Sequence, residues 1–165
     1  MKILEVKKED LKYNLNLVKD KLSGKSEILA VVKGNGMGLG LVEYTQFLLE
    51  EGVKFFGVAN TIEALELRQN GIEAEILMMS EVIDSEELTE LLNHDIILTV
   101  GNLEEKKQIA EIAERLGKIA RVHVKIDTGF ARYGFGFEDE AIFEAVQDTE
   151  FVKVVRVFYP FFKSN

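Results

Sequence analysis

Residues 30–40 read AVVKGNGMGLG, and this stretch determines how the rest of the chain is interpreted. An apolar run ends at Lys33, and glycine then occupies every second position from Gly34 to Gly40. One interpretation is a buried strand that leaves its sheet through a flexible turn, with Lys33 reaching solvent. The other is a lysine at the mouth of a pocket, where bare backbone lets a ligand approach closely. The stretch by itself leaves both interpretations open.

The rest of the chain alternates short apolar, β-branched runs with amphipathic stretches of helical period. The predicted strands are residues 28–33, 55–59, 76–80, 96–100, 122–127 and 152–158. The predicted helices are residues 11–22, 42–51, 61–70, 85–92, 103–116 and 139–147. Strands that alternate with helices predict βαβ units, and therefore a parallel sheet in the α/β class. No linker interrupts the pattern, so residues 1–165 are interpreted as a single domain.

The position of the polar residues decides between a doubly wound sheet and a barrel. They recur at or near the carboxyl ends of the predicted strands: Lys33, Asn35, Asn60, Ser80, Thr99, Lys125, Asp127 and Tyr159. In a barrel all these ends converge on one mouth, whereas in an open sheet they spread along an edge. A dinucleotide-binding fold would also need an acidic residue after the second strand, where the chain has Asn60. We therefore predict a parallel (βα) barrel of the TIM type.

Composition argues against several classes of function. The formal net charge is −9 and no basic run occurs, which argues against nucleic acid and anionic membranes as partners. No apolar run approaches the length of a membrane span. The chain contains no cysteine, which is typical of a reducing compartment, so we expect a cytoplasmic protein. The two histidines, His94 and His123, lack the spacing of metal ligands, and no metal site is predicted.

Two motifs and the start of the chain resemble one family. The stretch AVVKGNGMGLG resembles the pyridoxal-phosphate lysine motif of alanine racemases. Residues 122–135, VHVKIDTGFARYGF, resemble the second signature of the same family, and ILEVKKEDLKYNLNLVK resembles its opening strand and helix. Order and spacing agree along essentially the whole chain. The sequence is thus similar to the N-terminal, fold-type III pyridoxal-phosphate barrel domain of the alanine racemase family.

The resemblance implies roles for four residues. Lys33 would form the Schiff base with pyridoxal phosphate and act as the base on one face of the substrate. Such a lysine must be partly desolvated to be neutral often enough to react. Arg132 would be the second catalytic residue, near a cofactor oxygen and the substrate carboxylate. Asn35 and Lys125 would complete the cofactor-binding set, and Lys125 matches a position that is often carbamylated. From the residues alone, Lys125 and Asp127 could instead simply pair, since both face one side of a strand.

Four positions depart from the family pattern. Met37 replaces a tyrosine whose hydroxyl helps to hold the cofactor phosphate, and a thioether cannot make that bond. Pro160 replaces a histidine that packs on the cofactor ring, and Arg156 replaces a glycine of the sixth strand. Ala131 stands where glycine or another small residue is usual. At least two of these changes are expected at the mouth, so the pocket is interpreted as altered.

The number of strands falls short of a complete barrel. Six are predicted where a TIM-type barrel has eight, and the sequence stops at FYPFFKSN. We therefore expect a truncated barrel, a fragment or remodelled derivative that does not racemise amino acids by itself. One alternative is a pyridoxal-phosphate-binding protein or racemase that retains a Schiff base at Lys33. Another is an ordinary truncated piece without function. Whether the chain is an enzyme stays open at this point.

An incomplete barrel also predicts self-association. Its first and last strands keep unpaired edges, and the side chains inside the sheet lack an opposing wall. The aromatic segment 158–162 would lie at this opening. We expect a homodimer in which two open barrels face each other and bury these rings. The alternative is a monomer that the same segment plugs.

Overall fold

The computed structural model describes residues 5–22, 24 and 26–160. Within these ranges the helices are α1 (Lys8–Leu22), α2 (Lys33–Met37), α3 (Leu41–Glu50), α4 (Thr61–Gln69), α5 (Ser85–Asn93), α6 (Leu103–Leu116) and α7 (Ala141–Ala145). The strands are β1 (Leu29–Val31), β2 (Phe55–Val58), β3 (Glu75–Met78), β4 (Leu98–Val100), β5 (Ala120–Asp127), β6 (Phe135–Gly136) and β7 (Val152–Phe158). None of the helices in this part of the chain combines the length and apolar character that crossing a membrane requires.

All the strand pairs are parallel. The strands β1, β2 and β3 form one run, and β4, β5 and β7 form another. A parallel bridge between Leu77 and Ile97 joins the two runs, so the main sheet has the order β1-β2-β3-β4-β5-β7. The helices that connect successive strands supply the crossovers that parallel pairing needs. The prediction of a parallel α/β sheet is confirmed.

The predicted and observed elements differ at three places. The six predicted strands all exist, but the structure adds β6, which pairs with the end of β5 at Ile126 and Asp127. It also adds α2, directly after β1. The helix predicted over residues 139–147 is shorter, Ala141–Ala145. A strand of two residues carries no periodicity, which explains why the alternating pattern did not reveal β6.

The larger hydrophobic core lies between the sheet and its helices. Alternate strand residues face this layer, because successive side chains of a strand point to opposite faces. They are fully or almost fully buried: Phe56, Val58, Ile76, Met78, Leu98, Val100, Val122, Val124 and Val152. The helices contribute Leu67, Leu88, Leu91, Ile109 and Ile112 to the same layer. This layer holds each strand at a fixed height, and thereby positions the residues that follow it.

A second, smaller cluster lies on the opposite face of the sheet. It contains Phe55, Leu77 and Ile97, with Phe158 packed against it. His123 also lies on this face, as its alternation with Val122 and Val124 predicts. Its ring makes edge contacts with Phe55 and Phe158, at centroid distances of 5.5 and 6.2 Å. The imidazole is almost fully buried, and its Nε2 has no hydrogen-bond partner among the described residues.

The two outer strands of the sheet approach each other at one end. Arg156 of β7 forms an ion pair with Glu27, which precedes β1. The same guanidinium lies 5.3 Å from the ring centroid of Phe55, at the beginning of β2. These contacts require a curved sheet, since a flat one would keep its first and last strands far apart. Arg156 therefore lies toward the amino ends of β1 and β2.

The burial of His123 predicts a dependence of stability on pH. Burial, and then the charges of Arg156 and Arg121, lower the pKa of His123 from 6.5 to about 4. Between about pH 4 and 6.5, the imidazole of His123 is protonated in the unfolded chain and neutral in the folded chain. The contribution of this residue to the free energy of unfolding is therefore largest above about pH 6.5. It decreases as the pH falls toward 4, by about 3 kcal/mol at most. In His123→Phe, the urea-unfolding free energy should vary less between pH 4.5 and 7 than in the parent chain.

The exposed histidine provides the control for this measurement. His94 is 40% exposed in its side chain, so His94→Gln should keep the pH dependence of the parent. If the unfolding free energy of His123→Phe depends on pH as strongly as that of His94→Gln, the buried imidazole does not cause the pH dependence.

Candidate functional site

A cavity of about 600 Å³ opens at the carboxyl ends of the strands. Three cationic side chains line it, contributed by Lys33, Lys125 and Arg132. Aromatic side chains form much of its wall: Phe130, Tyr133, Phe158 and Tyr159. Since these residues follow β1, β5 and β7, the strand ends do converge on one mouth, as the barrel prediction requires.

Half of the polar residues predicted at this mouth reach the cavity. Lys33, Ser80, Lys125 and Tyr159 line it. The other four have local roles. Asn60 caps α4, and the buried Thr99 donates its hydroxyl to Met78 O at 2.6 Å. The side-chain oxygen of Asn35 accepts the amide of Leu41 at 3.0 Å, and Asp127 binds the turn that follows it. Asn35, predicted to bind cofactor, is thus placed in the turn and not among the residues that line the cavity.

The glycine-rich stretch after Lys33 is a turn of left-handed helix. The φ angles of Gly34, Asn35 and Gly36 are 65°, 55° and 64°, and Met37 follows at 56°. Left-handed backbone costs little for glycine and is tolerated by asparagine, whereas other L-residues are strained. The alternating glycines are therefore explained by the backbone conformation. Close approach of a ligand is not needed to account for them.

Lys33 stands at the start of this turn, with its side chain in the cavity and exposed to solvent. The desolvated setting expected for a catalytic lysine is therefore not present within the described residues. Any desolvation of the amine would have to come from whatever covers the open side of the cavity.

Glu63 fixes the turn that carries Lys33, and the sequence analysis missed it. Its buried carboxylate accepts the amides of Gly34 and Asn35 through Oε1, at 2.7 and 3.2 Å. Its other oxygen accepts the amide of Ala59 at 3.3 Å. Asn60 caps α4 by accepting the amide of Glu63, and the capping-box spacing of these two residues was the signal available in the sequence. This carboxylate ties the end of β1 to the end of β2.

Lys125 is held by the chain that follows it. Its Nζ donates to the backbone oxygen of Tyr133 at 2.8 Å and lies 4.9 Å from the centroid of that ring. Burial lowers the pKa of Lys125, Asp127 acts in the opposite direction, and Arg132 lowers it further. A less basic amine is neutral more often, which is the form that reacts with electrophiles.

Asp127 does not form the simple ion pair with Lys125 that its position on the strand suggested. Its Oδ1 accepts the amides of Gly129, Phe130 and Ala131, and its Oδ2 accepts the amide of Arg132 at 2.9 Å. These hydrogen bonds, led by that from Gly129, lower the pKa of Asp127. The carboxylate thereby fixes the loop that delivers Arg132, whose guanidinium lies 4.4 Å from the centroid of the Phe130 ring.

Of the four departures from the family pattern, Pro160 lines the cavity. Met37 is 64% exposed and lies in the left-handed turn beside it. Ala131 also has a left-handed backbone, with φ at 53°, in the loop before Arg132. Arg156 points to the other end of the sheet, as described above. Three of the departures therefore lie in or next to the cavity wall, and Pro160 is the one that lines it.

Comparison with known proteins agrees with this geometry. The family profile described as "Alanine racemase, N-terminal domain" matches residues 6–164. The chain belongs to this family. An alanine racemase of Methanococcus maripaludis is 36% identical over 159 residues, which cover 95% of this chain and 42% of that protein. Alanine racemase 1 of Oceanobacillus iheyensis is 38% identical over 139 residues, covering 84% and 37%.

Solved structures show the same relationship. Alanine racemase from Clostridium difficile 630 in complex with cycloserine has 36% identity and a TM-score of 0.88, covering 94% of this chain and 43% of that one. A histidine racemase from Leuconostoc mesenteroides has 28% identity and a TM-score of 0.78, covering 88% and 39%. The fold is therefore a partial TIM-type barrel, as predicted. The chain spans about two fifths of the length of these relatives.

The alanine racemase family uses pyridoxal phosphate, and the cavity residues fit such a group. Pyridoxal phosphate is an anionic aromatic ring with an aldehyde. The cavity presents two lysines and an arginine for its anionic oxygens and its aldehyde, and aromatic side chains for its ring. Lys33, Lys125 and Arg132 are thus the described residues that would hold it.

The left-handed turn generates a stability prediction. Gly34→Ala should cost about 1–2 kcal/mol, because a Cβ is strained at φ 65° even though nothing lies within 4 Å of it. Gly36→Ala should cost more, since its Cβ would also lie 3.3 Å from Leu41 and Tyr44 atoms. Urea unfolding measures both. Gly136→Ala, with ordinary φ and open space around it, should change stability by less than about 0.5 kcal/mol. Equal costs at Gly36 and Gly136 would contradict the left-handed assignment.

Proposed function

We propose that this chain provides the Lys33-bearing half of a pyridoxal-phosphate-dependent amino-acid racemase site, and that the 165 residues alone do not racemise amino acids. The observation that carries the proposal is the convergence of Lys33, Lys125 and Arg132 on one aromatic-walled cavity. The family resemblance assigns these three residues, together with Asn35, to the cofactor. Lys33 follows β1, Lys125 lies in β5 and Arg132 lies in the loop after β5.

Each of the three cations has a separate task in this proposal. The amine of Lys33 would hold the cofactor through its aldehyde and, once the substrate amine has displaced it, would move a proton on one face of the substrate. The guanidinium of Arg132 binds a carboxylate, for which its planar fork is suited. Lys125 opposes an anionic oxygen of the cofactor. The bound cofactor supplies the electron sink that makes the proton on the substrate α-carbon removable.

Two features favour inactivity of the 165 residues by themselves. The side chain of Lys33 is exposed, so water reaches the amine that must hold and release the proton. A racemase also needs an acid or base on the opposite face of the substrate, worth about 10²–10⁴ in rate. The family resemblance places that group, a tyrosine, in a second domain of a partner subunit.

The pocket is proposed to be altered as well. Pro160 lines the cavity where the family has histidine, and proline has no side-chain group that can donate or accept a hydrogen bond. Its carbonyl accepts the hydroxyl of Thr128 at 2.6 Å, so the segment after β7 is fixed to the turn after β5. The alternative function is cofactor binding without racemisation, and the altered wall at Pro160 is the observation that favours it.

Cofactor binding is tested by absorbance and covalent trapping. Adding pyridoxal phosphate should produce visible absorbance, and borohydride should fix one cofactor on the peptide containing Lys33. Lys33→Ala should lose both signals, whereas Lys107→Ala, at an exposed lysine of α6, should keep them. An assay for conversion of L-alanine to D-alanine should give no turnover. A colourless protein would refute the cofactor site, and turnover that depends on Lys33 would refute the inactivity.

We also propose a homodimer. Among the described residues β7 pairs with β5 alone, and Val155, Val157 and Tyr159 are exposed along and beyond it. An exposed apolar edge strand recruits another chain. Light scattering at micromolar concentration should give twice the chain mass, and Val157→Asp should reduce it to one chain. Ile119→Asp, at an isoleucine that is 63% exposed in a different region, should leave the dimer intact. Phe161 and Phe162 of the predicted interface lie outside the described residues.

A parent chain that scatters as a monomer would contradict this proposal. So would a dimer that persists in Val157→Asp.

A further inference from the structure

Tyr133 occupies a slot that the surrounding backbone leaves open for it. A Cβ on Gly101 would overlap the Tyr133 ring, so only glycine fits there without displacing it. On the other side, Gly134 has φ at 120°, and a Cβ there would lie 2.8 Å from the backbone oxygen of Lys125. Gly101 thus leaves room for the ring at the cavity wall, and Gly134 lets the backbone after Tyr133 run closely against β5.

The hydroxyl of Tyr133 is fixed at the bottom of this slot. It donates to Glu105 Oε2 at 2.7 Å and lies 3.2 Å from the backbone oxygen of Thr99. The same Glu105 oxygen accepts the amide of Gly101 at 2.7 Å, so one buried carboxylate binds both the ring and the glycine beside it. Asn102 caps α6 and orients Glu105 within the capping box.

The protonation states favour this arrangement. Burial, followed by the bond to Glu105, raises the pKa of Tyr133 well above its usual value, so the phenol keeps its proton and remains a donor. Burial also raises the pKa of Glu105, although the bonds from Gly101 and Tyr133 oppose that shift. The carboxyl of Glu81, which lines the cavity, adds to the increase.

The opposite end of Tyr133 holds Lys125. Its backbone oxygen accepts Nζ at 2.8 Å, and its ring centroid lies 4.9 Å from the same nitrogen. A side chain that is free to change its χ1 rotamer could not keep this distance, whereas one anchored through its hydroxyl can. The position of the amine therefore depends on a hydrogen bond made on the far side of the ring.

We propose that Tyr133, anchored by Glu105 and seated against Gly101, is a positioning residue that fixes the Lys125 amine in the cofactor cavity. The inference rests on the proposed function for its consequence, since Lys125 matters there as a cofactor contact. The positioning of the Lys125 amine by Tyr133 involves only residues of this chain. Loosening the ring admits water to Lys125, while the charges of Asp127 and Arg132, which also face the amine, stay in place.

Competitive labelling tests this proposal without cofactor. Trace acetic anhydride is applied from pH 6 to 11, and peptide mass spectrometry gives the pH midpoint and the plateau rate of each lysine. Tyr133→Phe removes the hydroxyl and keeps the ring. The Lys125 midpoint should rise toward the ordinary value by about half a unit or more, because burial is the main cause that depresses it. The midpoint of Lys33 should not move.

A second variant tests the same proposal without removing the hydroxyl of Tyr133. Gly101→Ala retains the hydroxyl, Glu105 and Lys125 but displaces the ring, and it should raise the Lys125 midpoint in the same way. Gly136→Ala is the matched control, because no atom lies within 4 Å of its added Cβ, and it should leave the midpoint unchanged.

Two outcomes would overturn the proposal. One is an unchanged Lys125 midpoint in both Tyr133→Phe and Gly101→Ala. The other is an equal shift at Lys33, which would mean a general loosening of the mouth. Failure of pyridoxal phosphate to bind would leave these labelling results standing and would refute only the proposed function.

Discussion

The hydrogen bonds that backbone amides donate to three carboxylates are the interactions on which the cavity depends. Glu63 binds the turn after Lys33, Glu105 binds Gly101 and Tyr133, and Asp127 binds the loop before Arg132. In each case a turn would otherwise leave amide donors without partners. A carboxylate accepts two or more of them in charge-assisted bonds, which are stronger than neutral ones. Loops that carry cationic side chains are thus positioned by carboxylates that the backbone amides occupy.

The same arrangement concentrates positive charge in the cavity. The chain carries a net charge of −9, but Lys33, Lys125 and Arg132 face the same space. Two of the nearest carboxylates, Glu63 and Asp127, are occupied by amides, so they do not form ion pairs with these cations. Mutual repulsion lowers the affinity of such a site for protons, as Arg132 does for Lys125. It raises the affinity for an anion, which is the charge that pyridoxal phosphate brings.

The sequence predicted the sheet well because the signal for buried parallel strands is long and repeated. Apolar runs that alternate with amphipathic stretches have few other solutions. Local backbone conformation was harder. The glycines from Gly34 to Gly40 suggested room for a ligand, whereas the structure uses them for left-handed backbone. Asn35, predicted to bind cofactor, belongs to the same turn, since asparagine tolerates left-handed backbone and its side chain accepts the amide of Leu41. Glycines that make room for a ligand and glycines that adopt left-handed backbone give the same sequence pattern.

Glu63 and Glu105 escaped the sequence analysis for a different reason. Each follows an asparagine by three positions at a helix start, which is the pattern of an ordinary capping box. Nothing in the pattern tells whether the carboxylate reaches back only to its own helix or across to a neighbouring loop. That depends on which strand ends lie side by side, and therefore on the three-dimensional arrangement of the sheet. Long-range contacts of this kind are the part of a site that local pattern cannot supply.

The strand β5 connects these features through its period of two. Val122 and Val124 face the helices, so His123, Lys125 and Asp127 face the other side at steps of about 6–7 Å along the strand. His123 belongs to the buried inner cluster, Lys125 reaches the cavity, and Asp127 fixes the loop at the rim. The strand β5 therefore fixes the positions of the inner cluster around His123, of the Lys125 amine and of the loop that carries Arg132. The packing of Val122 and Val124 against the helices holds all three at once.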